Sequence, residues 1–310
     1  MNLSHFRISF KDTVLQMSAA GLCFCLLLSA RCPSEGQKKS ETAVNATAGT
    51  TELPYDLSNP SLTINLVSNE LKEISGLSPT DTAGVYCAIA DERGEIFFID
   101  ANGGGAILRR VLFREKGDFE GVEMVEKDLY AMKSNGSVFE ISKWKDPARM
   151  KVEEFNTSLS KDDDVEGLGY DPSRNALLLA CKGNPESDTR RKVYAFSLKD
   201  KQLSAAPVYE IDPIEVNRIL PYDPEEKKQF FSPSGIAVHP ATNDIYIIST
   251  ALKRLVVLDS GTGAIRQVAR LNKKILPQPE GIAFDTKGNL YLSSEGKKGE
   301  GLVLRFDYDK

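Results

Sequence analysis

The sequence predicts an all-β protein, a five-bladed β-propeller of four-stranded antiparallel blades. Three observations carry that reading. One glycine-centred motif recurs five times, each copy is followed by further apolar runs, and the spacing closes a ring if the N-terminal strand completes the last blade.

The copies are EISGLS (73–78), DFEGVEM (118–124), DVEGLGY (164–170), SPSGIAV (232–238) and QPEGIAF (278–284). Their glycines, Gly76, Gly121, Gly167, Gly235 and Gly281, stand 45, 46, 68 and 46 residues apart. Self-similarity at such a period marks a repeat architecture. Each copy is followed by a second run (VYCAIA, LYAMK, ALLLAC, IYIIST, LYLSSE) and a third (EIFFID, SVFEIS, KVYAFSL, LVVLDS, LVLRFD). Turns such as ERGE, SNGS and DSGTG supply the residues that hairpins need. A more variable fourth strand follows in most units, as in AILRRVLF (106–113). Helical periodicity is weak throughout. Four antiparallel strands per unit of roughly 40–50 residues describe a propeller blade.

Only 30 residues run from Gly281 to the end, enough for three strands. The stretch Pro60–Ser75 supplies the missing one in LTINLV (62–67). That strand is expected on the outer edge of the last blade, where it covers an open edge. The long interval is expected to place a loop within residues 210–231, for which three prolines and mixed charge argue, with room for one short helical turn. A sixth blade, the second choice, would need about twice that length.

Composition is that of an ordinary globular protein, 41% hydrophobic and 27% charged, so folding needs no metal or disulfide staple. The net charge is −5, and the body beyond residue 31 is more acidic still. Such a surface repels phosphate backbones, so nucleic acid is not an expected partner. Cys23, Cys25 and Cys32 lie near the N-terminus, while Cys87 and Cys181 fall in strand-like runs and are expected as buried free thiols. No catalytic-thiol signature is present.

Residues 18–30, SAAGLCFCLLLSA, form an uncharged apolar run after Arg7 and Lys11. The run is short for a spanning helix, which needs about 20 residues, and suits a signal peptide. The expected organisation is a signal peptide over 1–31, a flexible polar tether over 32–59 and the propeller over 60–310. LSARC (28–32) resembles the bacterial lipoprotein signal with Cys32 as the acylated residue, although Arg31 departs from the usual small residue there. A plain secretory signal is the alternative. The expectation is a monomeric, exported protein of the bacterial cell envelope, held to a membrane through a lipid anchor.

These motifs, in this order, resemble the SdiA-regulated (YjiK-like) family of bacterial exported proteins over about residues 62–308. EISGL, DFEGVE, DVEGLGY and QPEGIAFDTKGNLYLSSE are the most specific parts. The resemblance implies a five-bladed propeller distantly related to NHL-repeat propellers, with a bound calcium ion and no established biochemical activity.

In a propeller the first strand of each blade lines the central channel. The residues before the motif glycines, Ser75, Glu120, Glu166, Ser234 and Glu280, are therefore expected to meet on the axis. Converging carboxylates either raise one another's pKa or bind a cation. Oxygen ligands without His or Cys favour a hard ion, calcium ahead of magnesium. The expected metal set is Glu120, Glu166 and Glu280, with Glu73, Asp118 and Asp164 in support. A second ring is expected from the ends of the second strands: Asp91, Lys133, Lys182, Ser249 and Glu295. Its lysines allow a metal-free alternative, in which Lys133 pairs with Glu120 and Lys182 with Glu166.

Other candidates are weaker. His239, in AVHPATND, is expected as a satisfied turn residue, and Trp144 on an outer strand between blades. Ser75 and Ser234 have no His partner for a hydrolytic triad. GGG (103–105) precedes no helix and is not a phosphate loop, and KDDDVEG (161–167) does not match the EF-hand spacing. The function expected is binding of a small ligand or a protein. A calcium-dependent hydrolase of lactonase or phosphoesterase type is the rival, by fold analogy.

Overall fold

The computed structural model describes residues 53–102, 104–296 and 299–309. The expected signal peptide, Cys32 and most of the expected tether lie outside the described residues. Strand β1 (Leu62–Leu66) comes first among the described residues. Blade one follows with β2 (Ile74–Pro79), β3 (Val85–Ala90), β4 (Gly94–Asp100) and β5 (Ile107–Arg114). Blade two holds β6 (Phe119–Val125), β7 (Asp128–Lys133), β8 (Val138–Ser142) and β9 (Lys151–Phe155). Blade three holds β10 (Val165–Asp171), β11 (Ala176–Cys181) and β12 (Arg191–Ser197), and its outer edge is split into β13 (Gln202–Leu203) and β14 (Tyr209–Ile211). Blade four holds β15 (Gly235–Val238), β16 (Ile245–Ser249), β17 (Arg254–Leu258) and β18 (Ile265–Arg270). Blade five holds β19 (Pro279–Phe284), β20 (Leu290–Ser294) and β21 (Gly301–Phe306), with β1 as its outer strand. Five antiparallel blades make a propeller.

The closure expected from the sequence is realised. Strand β1 runs antiparallel to β21 with Leu62 opposite Arg305 and Leu66 opposite Gly301. Inner strands read as continuous apolar runs because both faces are covered by neighbouring blades, as in ALLLAC of β11, buried throughout. The rim strand β9, KVEEF, is exposed along nearly its whole length and reads polar accordingly. Trp144 does pack between blades, stacked on Phe98 with ring centroids 4.7 Å apart and its Nε1 donating to Lys127 O at 2.9 Å. It lies in the β8–β9 connection rather than on an outer strand. Cys87 and Cys181 are buried free thiols.

The body begins before residue 60. Polar composition suggested a tether up to residue 59, but Tyr55 is only 6% exposed and its hydroxyl donates to Gly288 O at 2.7 Å. Tyr55 seats the segment, with Leu53 and Leu57 partly buried against the same core cluster. The long interval holds helix α1 (Pro213–Ile219), capped by Asp212, whose side chain accepts from Ile214 N and Glu215 N. The loop beyond is pinned to blade four by Arg254, which is wholly buried and donates to both oxygens of Glu226 at 2.8 and 2.7 Å. No helix among the described residues is long and apolar enough to cross a membrane.

Candidate functional site

A repeated β-bulge builds the channel. The register of β2 against β3 slips between Ile74 and Gly76, leaving Ser75 as the extra residue. The same slip occurs between Phe119 and Gly121 around Glu120, and between Val165 and Gly167 around Glu166. In blade five it spans Pro279 to Ile282 and includes Glu280. In blade four Ser234 N donates to Ile248 O at 2.8 Å while Gly235 pairs with the same residue. A bulge re-aims one side chain out of the alternation, and the register slips in this way in four of the five blades.

The motif glycines have a separate task. A Cβ on Gly121 would come within 2.3 Å of Leu168 Cβ, and one on Gly235 within 2.4 Å of Glu280 O. A Cβ on Gly76 would lie 2.9 Å from Gly121 Cα. Their absence lets the five inner strands draw together, and the axis is nearly filled. What stays open is a cavity of about 10 Å³, bordered by Ser75, Glu120, Glu166 and Glu280 and by apolar side chains including Leu77 and Leu168. That is room for about one water or one bare ion.

Within this space charge is unevenly balanced. Lys182 donates to Glu166 Oε1 at 2.7 Å, with the carboxylate 12% exposed. Burial alone would lower the Lys182 ammonium, but the attraction of Glu166 reverses this and leaves it raised. Burial pushes Glu120 up to about 9, with Glu166, Asp118 and Glu280 adding repulsion. Burial, Glu166 and Glu295 push Glu280 up to about 8. Glu166 is also raised, burial outweighing the help of Lys182. Glu120 and Glu280 are therefore favoured as neutral carboxyl groups, while Glu166 is paired with Lys182.

The other expected residues are distributed differently. Ser75 borders the cavity, whereas Ser234 is turned aside, its Oγ donating to Pro279 O at 2.8 Å. Glu73 is exposed and does not border the cavity. Lys133 does not pair with Glu120. Its ammonium lies over the rings of Phe119 and Phe139, 5.3 and 5.4 Å from their centroids, an alternative the spacing of charges could not reveal. Asp91 has one oxygen buried without a hydrogen-bond partner, and its pKa is raised by burial and then by Glu73. Ser249 Oγ accepts from Ser232 N and Leu252 N at 3.2 and 3.4 Å, shaping a turn. Glu295 accepts from Gln278 Nε2, and Asp118 accepts from Ser134 Oγ.

The donor chemistry of Glu120, Glu166, Glu280 and Ser75 is that of a hard-cation site. Their spacing is not: among the described residues, no three Asp, Glu, His or Cys side chains stand together as a metal-holding group. Calcium would require the cluster to tighten and the Lys182–Glu166 pair to open. One further acid escaped the sequence reading. Glu123 is 7% exposed on β6, accepts from Ser78 Oγ at 2.7 Å, and is pushed up to about 8 by burial. Its signal was a lone charge two residues after the motif glycine, where other blades place Ser78, Gly169, Ala237 and Ala283.

The wider likenesses are mainly of fold. Glutaminyl cyclase of Myxococcus xanthus is 13% identical with a TM-score of 0.56, covering 81% of this chain and 96% of that one. The PQQ-bound aldose sugar dehydrogenase of Streptomyces coelicolor is 13% identical with a TM-score of 0.48, covering 80% and 97%. At these identities the first shows a shared fold and nothing more. The meiotic recombination protein W68 of Drosophila melanogaster is 29% identical over 171 residues, which are 49% of this chain and 49% of that protein. The chain thus spans about half the length of that curated relative. The family model described as SdiA-regulated matches residues 56–298, most of the propeller, and the chain belongs to the SdiA-regulated family.

Proposed function

We propose that the protein is a non-catalytic binding module that presents the surface of its propeller to a small ligand or a protein. The observation supporting this is the small size of the cavity at the carboxyl cluster, about 10 Å³, which is room for about one water or one bare ion. Metal-assisted hydrolysis needs an open coordination position and room for a nucleophile beside the substrate. The acids are better read as a structural cluster that ties the inner strands together.

Calcium is a second reading, favoured by the repulsion among the acids. Glu120 and Glu280 are raised by burial and by neighbouring carboxylates while Lys182 pairs with Glu166, and one divalent cation would offset that repulsion. Such an ion would neutralise and cross-link the strands that carry these three acids. Export and a lipid anchor at Cys32 complete the proposal, supported by the order of basic residues, apolar run, Cys32 and polar segment. The mass of the mature N-terminal peptide tests the anchor, and an unmodified Cys32 removes it.

The test of function combines turnover and melting. A panel of lactones and phosphate esters, assayed with Ca²⁺ and with EGTA, is expected to show no hydrolysis. Calcium-dependent turnover lost in Glu166→Gln would overturn the binding reading in favour of an enzyme. In the same samples, a calcium site occupied at a hundredfold excess adds about 2.7 kcal/mol and raises Tm. An unchanged Tm with no metal by elemental analysis leaves protons as the neutralising partner and removes calcium.

A further inference from the structure

His239 follows β15 and is wholly buried within a group of aromatic rings. Its ring centroid lies 4.9 Å from that of Phe284, 4.9 Å from Tyr308 and 5.8 Å from Tyr246. Tyr55 joins the same group, 6.2 Å from Tyr246, 6.3 Å from Phe284 and 5.7 Å from Tyr308. The two terminal segments are tied to each other by Asp309 N donating to Pro54 O at 3.0 Å. Tyr308 N donates to Asn289 Oδ1 at 3.0 Å, and Tyr55 holds Gly288 O, so both segments sit on the β19–β20 turn.

The two imidazole nitrogens are in opposite situations. Nδ1 accepts from the N–H groups of Ala241 and Thr242 at 3.3 and 3.1 Å, which places the proton of the neutral ring on Nε2. Nε2 is buried and has no hydrogen-bond partner. A second proton must enter at Nδ1, where it faces two N–H donors. The neighbouring acceptor, Thr242 Oγ1 at 3.2 Å, already accepts from Asp244 N at 3.3 Å.

The surrounding charges offer little relief. Asp244, in the same turn, is paired with Arg266 of β18 at 3.1 Å. Asp285, in the β19–β20 turn, accepts from Asn289 Nδ2 at 2.7 Å and from Lys287 N and Asn289 N at 2.9 Å. The remaining titratable groups of the box are the phenols of Tyr246, Tyr55 and Tyr308.

We propose that His239 is a proton-operated latch: its protonation breaks the turn at residues 239–244 and releases Leu53–Ser58 and Tyr308–Asp309 from the propeller. Leu53, Tyr55, Asp56, Leu57 and Ser58 also line a cleft of about 1580 Å³ together with residues 223–227, so release removes part of the wall of that cleft. Burial holds the imidazole below its ordinary range against the pull of Asp244. The latch is therefore closed at neutral pH, and stability is lost as pH falls through and below about 6.5.

Hydrogen exchange of the full chain at about pH 7.5 and about pH 5, corrected for intrinsic rates, tests this. Peptides covering 53–58 and 306–309 are expected to lose protection about tenfold at the lower pH. His239→Gln, which keeps an acceptor and cannot titrate, is expected to keep the same protection at both. Equal acid sensitivity in His239→Gln overturns the latch, as does unchanged protection in the parent protein. If the variant fails to fold, NMR titration of the parent decides. The imidazole must titrate together with the Tyr55 and Tyr308 ring signals, and rings that stay still while it titrates overturn the proposal.

Discussion

Glu123 shows what a buried acid contributes in this interior. Its carboxyl is raised to about 8, chiefly by burial, against the opposing hydrogen bonds from Ser78 and the backbone of Tyr170. The fold therefore prefers the protonated form. Its contribution to stability is full below the unfolded carboxyl range of about 4.5 and declines as pH rises toward 8. Glu120 and Glu280 act in the same direction in the absence of a cation. Glu123→Gln keeps the shape and removes one proton from this balance. Urea denaturation across that range should show the parent losing stability as pH rises and the variant losing less, by on the order of a few kcal/mol. Coincident pH profiles would refute the assignment. At this scale the sequence was informative where symmetry helped: Ser75, Glu120, Glu166 and Glu280 were found from the motif alone. The partner of Lys133 was not, because the aromatic faces of Phe119 and Phe139 compete with carboxylates and periodicity does not report which one wins.

The strand next to the axis is governed by what its glycines leave out. Gly121→Ala would place a methyl 2.3 Å from Leu168 Cβ, between two backbones that cannot separate without parting two blades. Overpacking of this kind costs about 1–3 kcal/mol, and this contact belongs at the upper end. Thermal melting should place Gly121→Ala well below the parent, while Gly261→Ala, whose nearest contact is Asp259 Oδ1 at an ordinary 3.4 Å, stays close to it. Equal melting points would mean that the inner strands yield more easily than their contacts imply. Strand positions were legible because the apolar runs lie between blades on both faces. The start of the body was not, because residues 53–59 are polar apart from Tyr55 and two leucines.

The ring as a whole depends on one pairing across the chain. Removing residues up to Leu66 would strip β21 of its partner over the register Leu62–Arg305 to Leu66–Gly301 and bare the buried Ile64 and Leu66 pockets. The shortened chain should melt earlier, less cooperatively, and with aggregation through the exposed edge, as read by calorimetry and light scattering. A cooperative transition at the parent temperature would show that the ring does not need this closure. The count of five blades was available beforehand from spacing alone, since a 46-residue period leaves the final copy one strand short.

That same pairing sets an order of events in time. Leu62 leaves the ribosome long before Arg305, so β1 is made well ahead of its sheet partner β21. Contacts of such sequence separation are slow to form. Four blades can assemble as they emerge, but the fifth waits for β21. Until then the ring has no finished fifth blade, and a chain arrested short of β21 would be held open at that one seam.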